Sequence, residues 1–150
     1  MTKSKWSFGV FTATVFVAGF AFRGLVAMPT VQAQTATDKV FEFRIYTAPP
    51  GKLDALKARF RDHTIKFFDK YGMKSIGYWT PQADPTKPQW DNTIVYILQH
   101  PSREAATKAW ASFNADPEWQ KVRTESQKDG PLTTKVENIF ASATDFSPIK

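Results

Sequence analysis

A carboxylate, a guanidinium and a phenol share one face of a predicted strand near residue 40. Glu42, Arg44 and Tyr46 alternate with apolar residues in VFEFRIYT, and strand side chains two positions apart point to the same side. Arg44 could orient an anion or an enolate, and Tyr46 could donate a proton. His63 could act as a base near neutral pH. We therefore treat Arg44, Tyr46 and His63 as candidate catalytic residues.

Three aromatic residues on later predicted strands extend this set into a candidate pocket. Trp79 has small neighbours, which leave room on its face for a close-packed helix or a cavity. The predicted binding residues are Glu42, Arg44, Tyr46, His63, Tyr78, Trp79 and Tyr96. In the alternative interpretation, Glu42 and Arg44 form a structural ion pair and His63 is a satisfied core histidine.

Several classes of chemistry have no motif in this sequence. It contains no cysteine, no G-x-S-x-G segment and no glycine-rich phosphate loop. Its two histidines, His63 and His100, have no second ligand at metal spacing, so we expect neither a metal nor another cofactor. Basic residues are scattered rather than interleaved with aromatics, so we expect no nucleic-acid partner.

The first 33 residues have the layout of a secretory signal. Lys3 and Lys5 precede the apolar run Trp6–Phe22, and Val31-Gln32-Ala33 matches a small-x-small cleavage site. We expect a signal peptide at 1–33 with cleavage after Ala33, a flexible leader at 34–39, a domain at 40–150, and a secreted or periplasmic location. Arg23 departs from the pattern, so an uncleaved membrane anchor is the alternative. Loss of the three basic residues in this segment lowers the formal charge from +6 to +3.

The elements that would position the candidate residues follow from periodicity and turn chemistry. The alternation predicts a strand at Val40–Thr47, which Pro49-Pro50-Gly51 ends. A helix is predicted from about Lys52 to Tyr71, and Gly72 is its expected C′ residue. Its apolar stripe consists of Leu53, Leu56, Phe60, Phe67 and Tyr71, with His63 in the same stripe.

The rest of the chain predicts three further strands and two more helices. The strands are Met73–Thr80, Thr93–His100 and Thr133–Ala143, with a Pro-rich loop at Pro81–Asn92. Ser102 is predicted to cap one helix and Asp116 the next, where Pro117 suits the first helical position.

This order is β-α-β-β-α-β, which predicts an α+β, ferredoxin-like fold: a four-stranded antiparallel sheet with helices on one face. We expect the helices to cover the apolar face that carries Phe41, Phe43 and Ile45. The third strand is nearly continuously apolar, which indicates that both of its faces are covered. A second copy packed on the remaining face would cover it, so we expect a homodimer with a barrel-like interior.

Five segments together resemble the NIPSNAP domain family. They are FEFRIYTAPPGKLDALKARFRDH, KYGMKSIGYWT, NTIVYILQHPSREAATKAW, DPEWQKV and KVENIFASATDFSP. The resemblance covers residues 40–148 and implies a dimeric α+β barrel. Related barrels include cofactor-independent monooxygenases and haem-binding enzymes, which is an analogy of fold alone.

Two functions follow as expectations. The first is an exported homodimer that binds a small apolar or aromatic ligand, or acts as an interaction module. The alternative is a cofactor-independent monooxygenase or isomerase. It requires Arg44, Tyr46 and His63 to meet in a cavity of at least about 300 Å³. A membrane partner is expected only if the signal segment is retained.

Overall fold

The computed structural model describes residues 39–150, so the predicted signal peptide, its alternative as an anchor and most of the leader lie outside the described residues. The chain forms, in order, β1 Val40–Thr47, α1 Leu53–Arg59, a π-helical segment Phe60–Thr64, α2 Ile65–Lys70, β2 Lys74–Trp79, β3 Thr93–His100, α3 Arg103–Ala115, α4 Pro117–Ser126 and β4 Lys135–Ser142. None of the helices in this part of the chain is long and apolar enough to cross a bilayer.

The four strands form one antiparallel sheet in the order β2-β3-β1-β4. The predicted ferredoxin-like arrangement is therefore confirmed. In the two central pairings Arg44 lies opposite Tyr96 on β3 and Asn138 on β4. The same face of the sheet consequently collects polar and aromatic side chains from three strands.

The helices cover the face that carries Glu42, Arg44 and Tyr46, so the predicted assignment of the two faces was wrong. Trp110 on α3 donates a hydrogen bond to Glu42, and Phe60 packs edge-on against Tyr46 with ring centroids 5.8 Å apart. The physical reason is that Glu42 and Arg44 form an ion pair beneath the helices, and the Tyr46 hydroxyl accepts from Arg44. Their burial therefore does not leave unpaired charge.

The opposite face is apolar and largely uncovered, and we call it the open sheet face: Phe41, Phe43, Ile45, Ile97 and Ile139. Phe43 is 38% exposed and Ile139 is 65% exposed. Residues 144–150 cross one end of this face, where Gln99 Nε2 donates to the carbonyl oxygen of Lys150 at 2.8 Å. The remainder of the face has no cover within residues 39–150.

The predicted helix between β1 and β2 is confirmed, but its middle turn is wider than an α-helical turn. In the π-helical segment, the Thr64 hydroxyl donates to the carbonyl of Arg59, five residues earlier, at 3.2 Å. One additional residue rotates the following side chains by about 100° relative to an α-helix. Thr64 and Phe68 therefore face the core, whereas His63 is exposed, contrary to its predicted place in the apolar stripe.

A bulge between Ser75 and Gly77 changes the alternation of β2. Tyr78 stacks on Tyr96 with ring centroids 5.6 Å apart, on the helix side of the sheet. Trp79 lies on the opposite face and is 51% exposed. The expectation that Trp79 walls the pocket of Glu42, Arg44 and Tyr46 was therefore wrong, because β alternation places it on the other side.

Both predicted helix caps are present. The Ser102 hydroxyl accepts from the Ala105 N–H at 3.1 Å at the start of α3. Asp116 Oδ1 accepts from the N–H groups of Glu118 and Trp119 at 2.7 and 3.1 Å, and its Oδ2 accepts from Lys70 and Tyr71. One carboxylate thus starts α4 and joins it to the end of α2. This fixes the position from which Trp119 enters the helix–sheet interface.

Candidate functional site

A cavity of about 240 Å³ lies between the helix layer and the sheet. We call it the helix–sheet cavity, and its walls come from β1, the first helix with its π-helical segment, α3, α4 and β4. The π-helical turn contributes directly, because it places Thr64 beside Arg59, five residues earlier. The charged and apolar side chains that shape the cavity include Arg44, Arg59, Phe60, Trp110, Trp119 and Val136.

Glu42 anchors the wall behind Arg44. Its side chain is fully buried and accepts hydrogen bonds from His100 Nε2 at 3.1 Å, Trp110 Nε1 at 2.6 Å and Asn138 Nδ2 at 3.0 Å, in addition to an ion pair with Arg44. Burial alone would raise the pKa of this carboxyl, but the bonds from His100 and Trp110 and the Arg44 charge lower it to about 2. Glu42 is therefore ionised at neutral pH and acts as a structural acceptor.

Arg44 is held from three sides. Its Nη2 donates to the Tyr46 hydroxyl at 3.1 Å, and its guanidinium carbon lies 4.1 Å from the centroid of the Trp110 ring. Burial would lower the pKa of Arg44, but neighbouring Tyr96, Tyr46 and Glu42 raise it above its usual value. The side chain is thus a fixed cation with its orientation set before any ligand enters.

Three of the predicted binding residues form an aromatic cluster next to this cation. Phe60 packs edge-on against Tyr46, Tyr78 and Tyr96, with centroid distances of 5.8, 5.9 and 5.1 Å. Burial raises the pKa of Tyr96 well above its usual value, so its phenol stays neutral. Of these three tyrosines only Tyr46 lines the cavity. The cluster mainly gives the cavity a rigid floor.

Arg59 is a residue of the cavity wall that the sequence did not predict, and it adds a buried positive charge to the site. It is only 8% exposed, and among residues 39–150 its buried Nε has no hydrogen-bond acceptor and no carboxylate lines the cavity beside it. It lies over Trp119, 5.7 Å from the ring centroid. Burial lowers the pKa of Arg59, and the nearby charge of Arg123 lowers it further. A buried cation without a counter-charge is costly for a fold to keep.

The predicted convergence of His63 with Arg44 and Tyr46 was wrong. His63 is exposed and does not line the helix–sheet cavity, and Trp79 borders a separate surface groove with Tyr78 and Ile94. The proposed base of the enzymatic alternative therefore lies away from its two partners. Within residues 39–150, no group of three potential His, Cys, Asp or Glu ligands could hold a metal ion.

Other residues of the site carried only weak sequence signals. Nothing in the spacing of Trp110, in the helix predicted after Ser102, indicated that its indole N–H would reach a buried carboxylate. His100 and Asn138 reach Glu42 only because of the strand register. Leu98 on β3 and Phe140 on β4 lie opposite Glu42, and His100 and Asn138 are each two positions away from these residues on the same strands. Arg59 follows Leu56 at the ordinary helical spacing of three residues, but a charged side chain beside an apolar stripe is typical of a solvent-facing position and gave no signal of burial.

Comparison with known proteins agrees with this geometry at the level of fold and family. The NIPSNAP family model matches residues 41–148. The chain is similar in structure to a NIPSNAP-like domain protein from Burkholderia xenovorans, with a TM-score of 0.64 and 23% identity over 75% of this chain and 90% of that one. It is also similar to a NIPSNAP family protein of unknown function from Agrobacterium tumefaciens, with a TM-score of 0.64 and 24% identity over 76% and 96%. No curated protein matches it. The chain belongs to the NIPSNAP family.

Proposed function

We propose that this protein is an exported homodimer that binds a small ligand in the helix–sheet cavity of each subunit. The observation that carries the proposal is the construction of the cavity. Aromatic rings of Phe60, Trp110 and Trp119 surround a guanidinium, Arg44, whose position Glu42 and Tyr46 already fix. Apolar walls with a few well-placed polar groups are typical of small-molecule sites.

The volume limits the size of the ligand. A cavity of about 150 Å³ accommodates benzene, and sites for drug-sized molecules begin near 300 Å³. The helix–sheet cavity, at about 240 Å³, lies between these limits. A compound with a single ring and one or two substituents therefore fits best.

The open sheet face supports the homodimer. Its apolar side chains come from β1, β3 and β4. In the single chain, Phe43 is 38% exposed and Ile139 is 65% exposed. Soluble proteins rarely leave a contiguous apolar patch of this kind in water. A second copy presents the same patch, so a two-fold axis through the sheet would bury both.

Export rests on the sequence of residues 1–33. We expect intact-mass measurement on the protein made in its native host to give a mature chain that begins at Gln34, because the signal layout ends at Ala33. A chain that retains Trp6–Phe22 would show instead that this segment is an anchor.

Fragment binding tests the cavity itself. We expect a library of neutral and charged single-ring compounds to give saturable binders to the wild-type protein, as observed by ligand-detected NMR. Val136 lines the cavity and is 48% exposed, so Val136→Trp should fill the entrance and weaken these binders at least tenfold.

The matched control is His63→Trp, which adds the same ring at an exposed position outside the cavity. It should leave the fragment affinities within a factor of two of wild type. Equal weakening by both variants, or a library without any saturable binder, would contradict the proposed function.

A further inference from the structure

We infer that the ligand of the helix–sheet cavity is an aromatic carboxylate, whose charge is neutralised by Arg59 and Arg123. This inference rests on the proposed function and specifies the chemistry of the molecule bound there. Three arginines, Arg44, Arg59 and Arg123, contribute to the described wall of the cavity, and that wall contains no carboxylate. Among residues 39–150, only the first of the three has an acidic partner, Glu42.

Arg59 is the decisive residue, because within residues 39–150 the Trp119 ring lies against its guanidinium but no carboxylate lines the cavity beside it. More than nine-tenths of the residue is removed from solvent, and its Nε meets no acceptor among residues 39–150. A charge in this situation is strongly disfavoured unless a counter-charge accompanies it. The described chain supplies none, and the side chain lines the cavity. A bound anion would provide the missing partner.

The local backbone is arranged to present this side chain. The Thr64 hydroxyl bonds to the carbonyl of Arg59 across the π-helical turn at 3.2 Å. The wide turn begins directly after Arg59 and places Thr64 beside it on the cavity wall, whereas the neighbouring Arg61 is exposed and borders a different groove. π-Helical turns within α-helices frequently occur at functional sites.

The shape of the site favours a carboxylate attached to a ring. Guanidinium groups bind planar carboxylates through two parallel hydrogen bonds. The rings of Phe60, Trp110 and Trp119 line the same cavity, and the volume holds about one substituted ring. Arg123 lies on the exposed surface of α4 at the edge of the cavity. It would attract the anion and complete its neutralisation.

Paired probes that differ only in charge test this inference. At pH 7, benzoate and phenylacetate are anions, and benzamide and phenylacetamide are their neutral analogues of nearly the same shape. We expect the wild-type protein to bind each carboxylate at least tenfold more tightly than its amide, by calorimetric titration, because a charge-assisted pair adds to the aromatic contacts.

Arg59→Gln should remove this preference, and Arg61→Gln is the matched control that should retain it. Arg123→Gln changes an exposed residue and should reduce the preference in part. Arg123→Gln keeps the test decisive if Arg59→Gln fails to fold.

Equal affinity for carboxylate and amide in the wild-type protein would overturn the anion inference and leave the cavity proposal intact. A carboxylate preference that survives Arg59→Gln in a folded variant would overturn the role of Arg59. If none of the four probes bound, this inference would fail, whereas the proposed function would stand or fall separately by the fragment library.

Discussion

We expect Glu42→Gln to lower the free energy of unfolding by about 3–5 kcal/mol at pH 7. Glu42 is fully buried, and its carboxylate accepts from His100, Trp110 and Asn138 in addition to Arg44. Replacing it with an amide leaves Arg44 as a partly buried cation without its counter-charge. It also sets a new N–H₂ donor against groups that are themselves donors. Urea unfolding monitored by circular dichroism measures the change.

The pH dependence of this effect has a defined direction. The pKa of Glu42 is lowered from 4.5 to about 2 in the folded protein. Its ionised form therefore stabilises the fold fully above pH 4.5, and this contribution is lost as the pH falls towards 2. The difference in stability between wild type and Glu42→Gln should accordingly shrink over that interval.

Glu125→Gln is the matched control for Glu42→Gln. Glu125 is exposed and its pair with Lys128, at 3.2 Å, is accessible to solvent. Its substitution should change the unfolding free energy by less than about 0.5 kcal/mol. Equal effects of the two substitutions would show that the network around Glu42 does not contribute to stability.

Ile97→Asp should weaken self-association by about 100-fold or more. Ile97 lies on the open sheet face, between Phe43 on β1 and Gly77 on β2. In a dimer built on that face its side chain is enclosed, and a carboxylate there has no partner among the neighbouring apolar groups. Sedimentation velocity over a concentration series, together with a circular dichroism spectrum that reports folding, measures the effect.

Ala111→Asp is the control for the dimer test, because it adds the same charge at an exposed position on α3. We expect this variant to sediment as the wild-type protein does. A wild-type protein that sediments as a single chain would contradict the dimer. Folded Ile97→Asp that remains dimeric would show that the copies associate through another surface.

The strand pattern could be predicted because local alternation and turn residues determine it. The predicted bounds of the first and third strands, Val40–Thr47 and Thr93–His100, agree with β1 and β3. Ser102 and Asp116 cap their helices as predicted. In each case a short stretch of chain contains the whole physical cause.

The faces and the site could not be predicted to the same extent, because their causes are non-local. Burial of Glu42 depends on donors that lie 58, 68 and 96 residues away in sequence. Without them, the apolar face with Phe41 is the natural choice for contact with the helices. His63 left its predicted place in the apolar stripe because the helix contains a single additional residue after Arg59, which no α-helical period can reveal.

Four tryptophans of the described domain can report directly whether a ligand enters between the helices and the sheet. Trp110 and Trp119 line the helix–sheet cavity, whereas Trp79 and Trp90 are exposed outside it. Their indole N–H signals can be followed in the ¹⁵N-labelled protein while single-ring compounds are added. Ligand entry into the helix–sheet cavity should give saturable shifts of the Trp110 and Trp119 signals and leave those of Trp79 and Trp90 unchanged. Saturable shifts confined to Trp79 or Trp90 would contradict binding in this cavity.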